Sequence, residues 1–347
     1  MISKMKIAEL VEIGKISYRE VPTPHPGPGE LVLKTHSVGL CGTDVKAYFR
    51  GHPYFSPPCI LGHEFAGTVV EIGEGVERFE VGEGIVAAPY VECGECDLCR
   101  HGLGELCEHK AFVTGALTEY ILLPSALVEQ ATFRLGTGVD FAIGSLAEPL
   151  ACAQNGVERA GITEGDTVLV IGGGPMGVML ALLAKTKGAK VLLSEISSPR
   201  IEAAGQLGIA VVSPEEEDLV GRIKSEWGKG KADRVLIAVG NKSLVEAGFN
   251  LAAAGGCVLL FGGLPKGDEI CLDAFAVHYR EIGLMGSFGY NLRQFKTAVA
   301  WLNDHARVVQ RIITHTVPFS ELERGFELAK EAKGLKIMIA FSERGGI

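Results

Sequence analysis

Hydrophobic and polar positions follow two different patterns along the chain. Up to about residue 123 the apolar residues form short runs, such as 30–36 and 67–72, separated by proline- and glycine-rich stretches such as 22–29. Short apolar runs bounded by turn residues are typical of β-strands. The pattern therefore predicts a mostly antiparallel, barrel-like unit from residue 6 to about residue 123.

From about residue 149 to residue 286 apolar strands alternate with helical segments. A helix is expected from Met176, and the predicted strands are 167–171, 190–194, 234–239 and 257–261. Such alternation favours right-handed crossovers and a doubly wound parallel sheet of the Rossmann type. The expected fold class is α/β, with this sheet beside the β-rich unit.

The last part of the chain returns to a mixed pattern. Helices are predicted around 294–303 and 321–332, followed by a closing strand at 336–341 that can rejoin the first unit. The expected domains are therefore 1–150 together with 288–347, and 151–287. A length of 347 residues fits two hydrophobic cores better than one.

Composition narrows the classes of function. A formal net charge of −9 argues against a nucleic-acid or anionic-membrane partner, because binding phosphates requires concentrated lysine and arginine. Neither an export signal nor an apolar run of about 20 residues is found, so a cytoplasmic protein without a membrane partner is expected. Nine cysteines in such a compartment favour metal ligation or burial over disulfides.

A glycine-rich loop follows the first strand of the parallel sheet. It has the spacing G-x-G-x-x-G and contains Gly172, Gly174, Pro175, Met176 and Gly177. A strand before it and a helix after it are the context in which such a loop binds a dinucleotide pyrophosphate at the helix N-terminus. A glycine-rich turn without a ligand remains the alternative.

The next strand ends in Glu195, 18 residues after Gly177. An acidic side chain at this place binds the ribose hydroxyls of the cofactor and repels a 2′-phosphate, which favours NAD. Arg200 nearby leaves NADP possible. The alternative for Glu195 is a solvated charge at the end of a strand.

Four cysteines lie within fifteen residues, with the spacing C-x₂-C-x₂-C-x₇-C. They are Cys93, Cys96, Cys99 and Cys107. Four thiolates can close a tetrahedral zinc site that has no position left for substrate, so a structural zinc is predicted. An iron–sulfur cluster is the alternative, but the spacing departs from ferredoxin patterns.

A second group of possible ligands is dispersed, and its spacing does not prove that the residues meet. It consists of Cys41, His63, Glu64 and Glu148. Taken singly, Cys41 can be a small buried residue and Glu148 an acid at the start of a helix.

Taken in order, these motifs resemble the zinc-containing medium-chain dehydrogenases over essentially the whole chain. Residues 62–73 are similar to the zinc signature of that family. Glu148 stands where the sorbitol and threonine dehydrogenase branch has a glutamate and other alcohol dehydrogenases have a cysteine, and residues 334–339 are also similar to sorbitol dehydrogenase. The resemblance implies a GroES-like catalytic domain beside the Rossmann domain.

The resemblance also implies roles for the dispersed residues. Cys41 and His63 would be ligands of a catalytic zinc, and Glu64 and Glu148 would supply the remaining oxygen contact. Asp44 would accept a hydrogen bond from His63. Two zinc ions per chain are therefore expected, one catalytic and one structural.

Further roles follow from the same resemblance. Thr43 would receive the alcohol proton and pass it toward the cofactor ribose, and Lys336 would lie near the cofactor pyrophosphate. Lys46 replaces the histidine with which other family members end their proton relay, so the exit path stays open, with His52 as a candidate. Arg50 can either pair with an anionic group of the substrate or remain an exposed arginine.

The function expected from these residues is hydride transfer between a secondary alcohol and NAD, with NADP possible. The substrate would be a small-molecule polyol, sugar or sugar acid. An amino alcohol dehydrogenase of the L-threonine type is the alternative, and a non-catalytic nucleotide-binding protein is the alternative from another class. Relatives are dimers or tetramers, so a homo-oligomer is expected.

Overall fold

The computed structural model describes residues 4–113 and 115–341. The chain divides into two compact units, the first formed by Met1–Ala151 with Tyr290–Ile347 and the second by Cys152–Gly289. The outermost ends of the expected first domain, 1–3 and 342–347, lie outside the described residues. None of the helices described is both long enough and apolar enough to cross a membrane.

The first unit begins with short strands and short helices. In chain order these are β1 (Lys4–Glu12), β2 (Lys15–Pro22), β3 (Leu31–Gly39), α1 (Gly42–Arg50), β4 (Cys59–Ile60), β5 (Glu64–Ile72), β6 (Gly84–Ala87), β7 (Tyr90–Val91), α2 (Asp97–Arg100), β8 (Ala111–Phe112), β9 (Tyr120–Leu123), α3 (Ser125–Gln130), β10 (Thr132–Arg134) and α4 (Phe141–Gly144). Helix α5 (Ala147–Arg159) begins in the first unit and continues into the second.

The second unit contains the parallel sheet, and the chain then returns to the first unit. The elements of the second unit after α5 are β11 (Thr167–Ile171), α6 (Pro175–Thr186), β12 (Lys190–Ser194), α7 (Ser198–Gln206), β13 (Ala210–Val212), α8 (Leu219–Trp227), β14 (Ala232–Ile237), α9 (Lys242–Leu251), β15 (Ala252–Leu260), α10 (Ala274–Tyr279) and β16 (Gly283–Gly286). The returning elements are α11 (Leu292–Gln310), β17 (Ile313–Pro318), α12 (Leu322–Lys330) and β18 (Lys336–Ala340).

The main sheet of the first unit has the order β10-β6-β5-β3-β18-β17, and β9 also pairs with β3. Strand β3 runs antiparallel to both β5 and β18, so the closing strand does rejoin the first part of the chain. Leu31 and Leu33 are fully buried in the core of this unit. The mostly antiparallel, β-rich first unit is confirmed.

Register in this sheet brings distant residues to one end of β3. Gly39, the last residue of β3, lies opposite both Glu64 at the start of β5 and Met338 in β18. Lys336, at the start of β18, therefore lies beside Glu64 although 272 residues separate them. This end of the sheet is where α1 begins.

The second unit is a six-stranded sheet in the order β13-β12-β11-β14-β15-β16, and its five neighbouring pairs are all parallel. All five residues of β11 are buried, as expected for a central strand covered on both faces. The predicted doubly wound α/β fold is confirmed.

Some boundaries differ from the sequence prediction. Strand β15 begins at Ala252 rather than at residue 257, because the glycines between these two positions suggest a turn in the sequence. Helix α11 extends beyond residue 303 and continues to Gln310 through non-helical dihedrals at His305. Strand β17 was not predicted, because three consecutive polar residues, Thr314, His315 and Thr316, form its centre and it lies at the edge of its sheet.

Candidate active site

Three of the four dispersed residues meet at the start of α1. One ligand atom each from Cys41, His63 and Glu64 lies within 4.8 Å of the other two. Cys41 is the N-cap of α1, and Glu64 is the first residue of β5. Sulfur, imidazole nitrogen and carboxylate oxygen form the kind of mixed three-ligand set that holds a catalytic zinc and leaves a fourth position for substrate.

Asp44 orients His63. Its Oδ1 lies 3.4 Å from Nδ1 of His63, so the other ring nitrogen, Nε2, is directed away from the carboxylate. Asp44 also accepts hydrogen bonds from the backbone N–H groups of Cys41 and Gly62, each at 3.1 Å. Burial raises the pKa of Asp44, but His63 and these two amides outweigh it and hold that pKa below its ordinary value. An ionised Asp44 fixes the imidazole as a second-sphere partner does in metal sites.

Glu64 is paired with Lys336 in the interior. The Nζ atom of Lys336 lies 2.5 Å from both carboxylate oxygens, but the geometry of a hydrogen bond is met only at Oε1. The buried Oε2 therefore lacks a hydrogen-bond partner among the described residues. An unsatisfied carboxylate oxygen beside a thiol and an imidazole fits a cation ligand.

The surroundings of Lys336 keep it charged. Burial lowers its pKa, but Glu64, Cys41 and Glu148 act against burial, and the pKa is raised overall. Its side chain is 2% exposed. The structure thus directs this ammonium group at Glu64, and its contact with a cofactor pyrophosphate stays a prediction.

Two other expected site residues lie close by. Glu148 is the second residue of α5 and is buried; it belongs to the surroundings of Lys336 but not to the group of three ligands. Thr43 is in the first turn of α1, and its backbone N–H donates to Sγ of Cys41 at 3.5 Å. Its role as proton acceptor stays a prediction.

The four remaining ligand candidates form a compact cluster. Their sulfur atoms are separated by 3.9 Å between Cys93 and Cys99, 3.4 Å between Cys96 and Cys99, 3.8 Å between Cys96 and Cys107, and 3.5 Å between Cys107 and Cys93. A tetrahedral site with Zn–S bonds of about 2.3 Å has sulfur–sulfur edges of about 3.8 Å. The cluster therefore fits zinc without a large rearrangement.

The thiols of this cluster differ in their pKa values. Backbone N–H groups of Glu95 and Cys96 lower the pKa of Cys93 to about 6, whereas burial raises the pKa of Cys99 to about 12. Four thiols in contact cannot all ionise without a compensating cation, and a bound zinc provides that charge.

Lys110 is a charged neighbour that the sequence interpretation missed. Its ammonium group lies 4.4 Å from the centre of the Tyr90 ring and donates to the backbone carbonyl of Glu105 at 2.6 Å. Burial lowers its pKa, while the negative charges of Cys107, Glu92 and Glu105, and to a smaller extent Cys99, counteract that shift. Its position three residues after Cys107 was the available signal, and it places a cation against the tetrathiolate.

The glycine-rich loop of the second unit has the geometry that its sequence requires. Gly172 has φ of +101°, a value that favours glycine. A Cβ on Gly177 would collide with the backbone oxygen of Gly172, so the helix can pack this closely only with glycine. Gly174 is the N-cap of α6, and Pro175 and Met176 are its first two residues. The first turn of α6 therefore presents N–H groups at the end of β11.

Glu195 lies beside this loop. Its carboxylate accepts hydrogen bonds from the backbone N–H groups of Gly173 at 2.6 Å, Ile196 at 2.8 Å and Ser197 at 2.9 Å. The guanidinium of Arg200 is 3.6 Å from the place that a Cβ on Gly174 would occupy. Burial lowers the pKa of Arg200 and Glu195 opposes the shift. The loop is thus bordered by both an acid and a base.

Comparison with known proteins agrees with both units. The family model for the alcohol dehydrogenase GroES-like domain matches residues 27–132, and the model for the zinc-binding dehydrogenase matches residues 175–304. L-galactonate-5-dehydrogenase of Escherichia coli (strain K12) is 31% identical over 94% of this chain and 95% of its own length. Sorbitol dehydrogenase of Halalkalibacterium halodurans is 29% identical over 94% of this chain and 96% of its own length.

A solved structure extends the similarity to three dimensions. A zinc-binding dehydrogenase from Sinorhizobium meliloti 1021, solved bound to NADP, is similar with a TM-score of 0.87 and 31% sequence identity, covering 98% of this chain and 100% of that one. The expected family and the expected oxidoreductase class are confirmed. The chain belongs to the zinc-containing medium-chain dehydrogenases, in the branch that includes sorbitol dehydrogenase.

Proposed function

We propose that this protein transfers a hydride between a secondary hydroxyl of a polyol, sugar or sugar acid and NAD or NADP. The observation that carries the proposal is the convergence of Cys41, His63 and Glu64 into a three-donor set, in which Glu64 is buried and the other two are partly buried; three donors leave a fourth zinc position for substrate. Lewis-acid polarisation of the substrate oxygen is the chemistry that a zinc bound there supplies.

The residues around the ligands have separate tasks in this proposal. Asp44 holds His63 in one orientation, and Lys336 contacts both oxygens of Glu64 and keeps its buried carboxylate charged. Thr43 receives the proton of the substrate hydroxyl. Glu148 supplies a second carboxylate that either contacts the metal or holds a water beside it.

The second unit would bind the cofactor. Gly172, Gly174 and Gly177 let the pyrophosphate approach the first turn of α6, and Glu195 would bind the ribose hydroxyls. A carboxylate held by three backbone amides favours NAD, and Arg200 beside the loop leaves NADP possible. The first unit would be the catalytic domain and the second the cofactor domain.

The substrate class is supported by the relatives, one named for a sugar acid and another for a polyol. An amino alcohol of the L-threonine type is the second candidate, because the carboxylate at residue 148 is shared with that branch. We further propose a cytoplasmic homo-oligomer, dimeric or tetrameric. A cluster of four free thiols suits a reducing compartment, and β16 leaves an open sheet edge beside the exposed Phe275 and Tyr279 of α10.

The test is turnover by purified, zinc-loaded protein. Polyols, sugar acids and L-threonine are offered with NAD and with NADP, and formation of the reduced cofactor is followed by absorbance. Reduction with a polyol or sugar acid supports the proposal, and reduction with L-threonine alone supports the second candidate. A protein that binds the cofactor but reduces it with none of these substrates would be a non-catalytic nucleotide-binding protein. Light scattering measures the oligomeric state.

A further inference from the structure

Helix α1 presents a row of polar side chains that starts at the metal ligands. Its buried residues are Asp44, Ala47 and Tyr48. Thr43, Lys46 and Arg50 are spaced i, i+3 and i+7, so they share the other side of the helix. Lys46 is partly buried and Arg50 is exposed. The row therefore leads from the proposed proton acceptor toward the C-terminal end of the helix.

The two cations in this row have no internal counter-charge. Over residues 4–113 and 115–341, no carboxylate forms an ion pair with Lys46 or Arg50. The nearest acid on the helix, Asp44, is already engaged by two backbone amides and by His63. Two positive side chains thus remain unpaired beside the metal ligands.

His52 is a further basic side chain, two residues after Arg50. Its Nδ1 accepts the backbone N–H of Tyr54 at 3.3 Å, so a neutral ring carries its proton on Nε2. Burial lowers the pKa of His52, and the positive charges of Lys46 and Arg50 lower it further. The charge on Asp44 also reaches His52 and acts in the opposite direction. The position of the cations follows from the helix itself, since Lys46 lies two residues after Asp44, whose carboxylate contacts His63.

The charge balance of the metal site makes these cations informative about the substrate. Asp44, Glu64 and Glu148 bring three carboxylates and Cys41 adds a thiolate; Lys336, the only buried ammonium among the described residues, and the two charges of a bound zinc ion oppose these four negative charges with three positive ones, so the site stays negative. A neutral polyol needs no additional cation to approach. An anionic substrate would be repelled by these acids unless positive groups were placed where its charge lies.

We infer that Lys46, assisted by Arg50, forms a subsite for the carboxylate of a sugar acid whose reacting hydroxyl lies at the Thr43 end of α1. The inference rests on the proposed function and narrows its substrate class to aldonates. Along the axis Lys46 is about 4.5 Å and Arg50 about 10.5 Å beyond Thr43. Four carbon–carbon bonds span about 5 Å, so a carboxylate four carbons from the reacting carbon falls within reach of both side chains.

Lys46 is the more diagnostic of the two cations. A basic residue in the last turn, such as Arg50, is also favoured by the helix dipole alone. Lys46 lies in the middle of α1, where the dipole gives no such preference, and it is partly buried. The experiment therefore centres on Lys46.

The experiment compares an aldonate with the alditol of the same carbon skeleton, for instance L-galactonate with galactitol. For each, kcat/KM is measured with zinc-loaded, full-length protein and saturating NAD. Lys46→Met removes the charge and keeps much of the stem, and Lys46→Arg restores a charge. Lys296→Met is the matched control, because Lys296 is an exposed lysine of the same unit on α11.

The wild type is expected to prefer the aldonate. Lys46→Met should lower the ratio of kcat/KM for aldonate over alditol by about 10- to 100-fold, mainly through KM, as expected for a lost charge-assisted hydrogen bond. Lys46→Arg should recover most of the ratio, Arg50→Gln should lower it by a smaller factor, and Lys296→Met should leave it unchanged. Added salt should raise KM for the aldonate more than for the alditol.

Two failures are distinguishable. Wild-type preference for the alditol, or an equal loss of kcat/KM on both substrates in Lys46→Met, would overturn the carboxylate subsite while leaving the dehydrogenase function intact. If that equal loss were confined to kcat, Lys46 would be assigned to proton transfer instead. Reduction of the cofactor by no aldonate and no alditol would overturn the proposed function itself.

Discussion

The buried ion pair between Lys336 and Glu64 gives a sharp prediction about stability. Lys336→Met keeps the apolar stem but leaves the Glu64 carboxylate, which is 0% exposed, without its cation. Removing one partner of a buried pair typically costs about 3–5 kcal/mol, because the other charge remains desolvated. We therefore expect a large loss of stability in the first unit whenever the adjacent metal site is not loaded.

The loss can be expressed as a melting temperature. For a unit of about 200 residues, each kcal/mol shifts Tm by about 2–4 °C, so the expected decrease is about 6–20 °C. The measurement is calorimetry or fluorescence on the Cys41→Ala background. This substitution should remove the proposed catalytic metal while leaving the four-cysteine cluster in place. In metal-loaded protein with Cys41 intact, the decrease should be smaller, because a cation at the free oxygen of Glu64 replaces part of the lost charge.

A double substitution tests the reasoning directly. Glu64→Gln combined with Lys336→Met removes both charges and should recover most of the lost stability, since a neutral pair has no unpaired charge to desolvate. Lys296→Met, at an exposed position, should change Tm little. If Lys336→Met shifted Tm no more than this control, or if the double variant were as unstable as Lys336→Met alone, the charge-compensation argument would be refuted.

Three other predictions concern the metal and cofactor sites. Cys41→Ala should reduce the zinc content from two ions per chain to one and abolish turnover while the chain stays folded. Atomic absorption measures the zinc content and circular dichroism the folding, and retention of both zinc ions would contradict the division into two sites. Lys110→Met should speed transfer of zinc from the four-cysteine cluster to a colorimetric chelator by about 3- to 10-fold, as expected for about 1 kcal/mol of lost cation interaction, whereas Lys110→Arg should not. Glu195→Gln should raise KM for NAD by about 10- to 100-fold and shift the preference toward NADP, and an unchanged ratio of the two cofactors would remove Glu195 from the ribose site.

Sequence patterns predicted the second unit well where its strands are central. The boundaries of β11 and β12 agree with the predicted 167–171 and 190–194, because a strand buried on both faces reads as an uninterrupted apolar run that ends at turn residues. Strand β17 gives no such signal. Three consecutive polar residues, Thr314, His315 and Thr316, separate its apolar ends, and a polar run without periodicity is also typical of loops.

For the metal sites too, spacing predicted the ligands that are close in sequence but not the ones that are distant. The four cysteines lie within fifteen residues, so their spacing alone restricts them to a small volume, and they do form a compact cluster. Cys41 and Glu64 meet because β3 and β5 pair with Gly39 opposite Glu64, and no spacing rule encodes that register. The resemblance to a family supplied this information, and periodicity did not.

Lys336 marks the limit of that resemblance. Its expected place near a pyrophosphate says nothing about a partner 272 residues away, and a lysine in a closing strand reads as a surface charge. The pairing of β18 with β3 decides that its ammonium group enters the interior. Long-range register, rather than local composition, therefore determines the charge balance of the candidate site.

The start of α1 shows how one short segment couples helix formation to metal geometry. Cys41 and Asp44 form a reciprocal capping box, in which the Cys41 side chain accepts the backbone N–H of Thr43 and the Asp44 side chain accepts that of Cys41. The same Asp44 carboxylate orients His63. One cap therefore fixes the thiol of Cys41 and the carboxylate of Asp44, so a helix that begins correctly positions one candidate ligand and the group that orients a second. Helix capping thus fixes Cys41 and the carboxylate that orients His63, whereas His63 and its chain neighbour Glu64 both reach the candidate site through the register of β5 on β3.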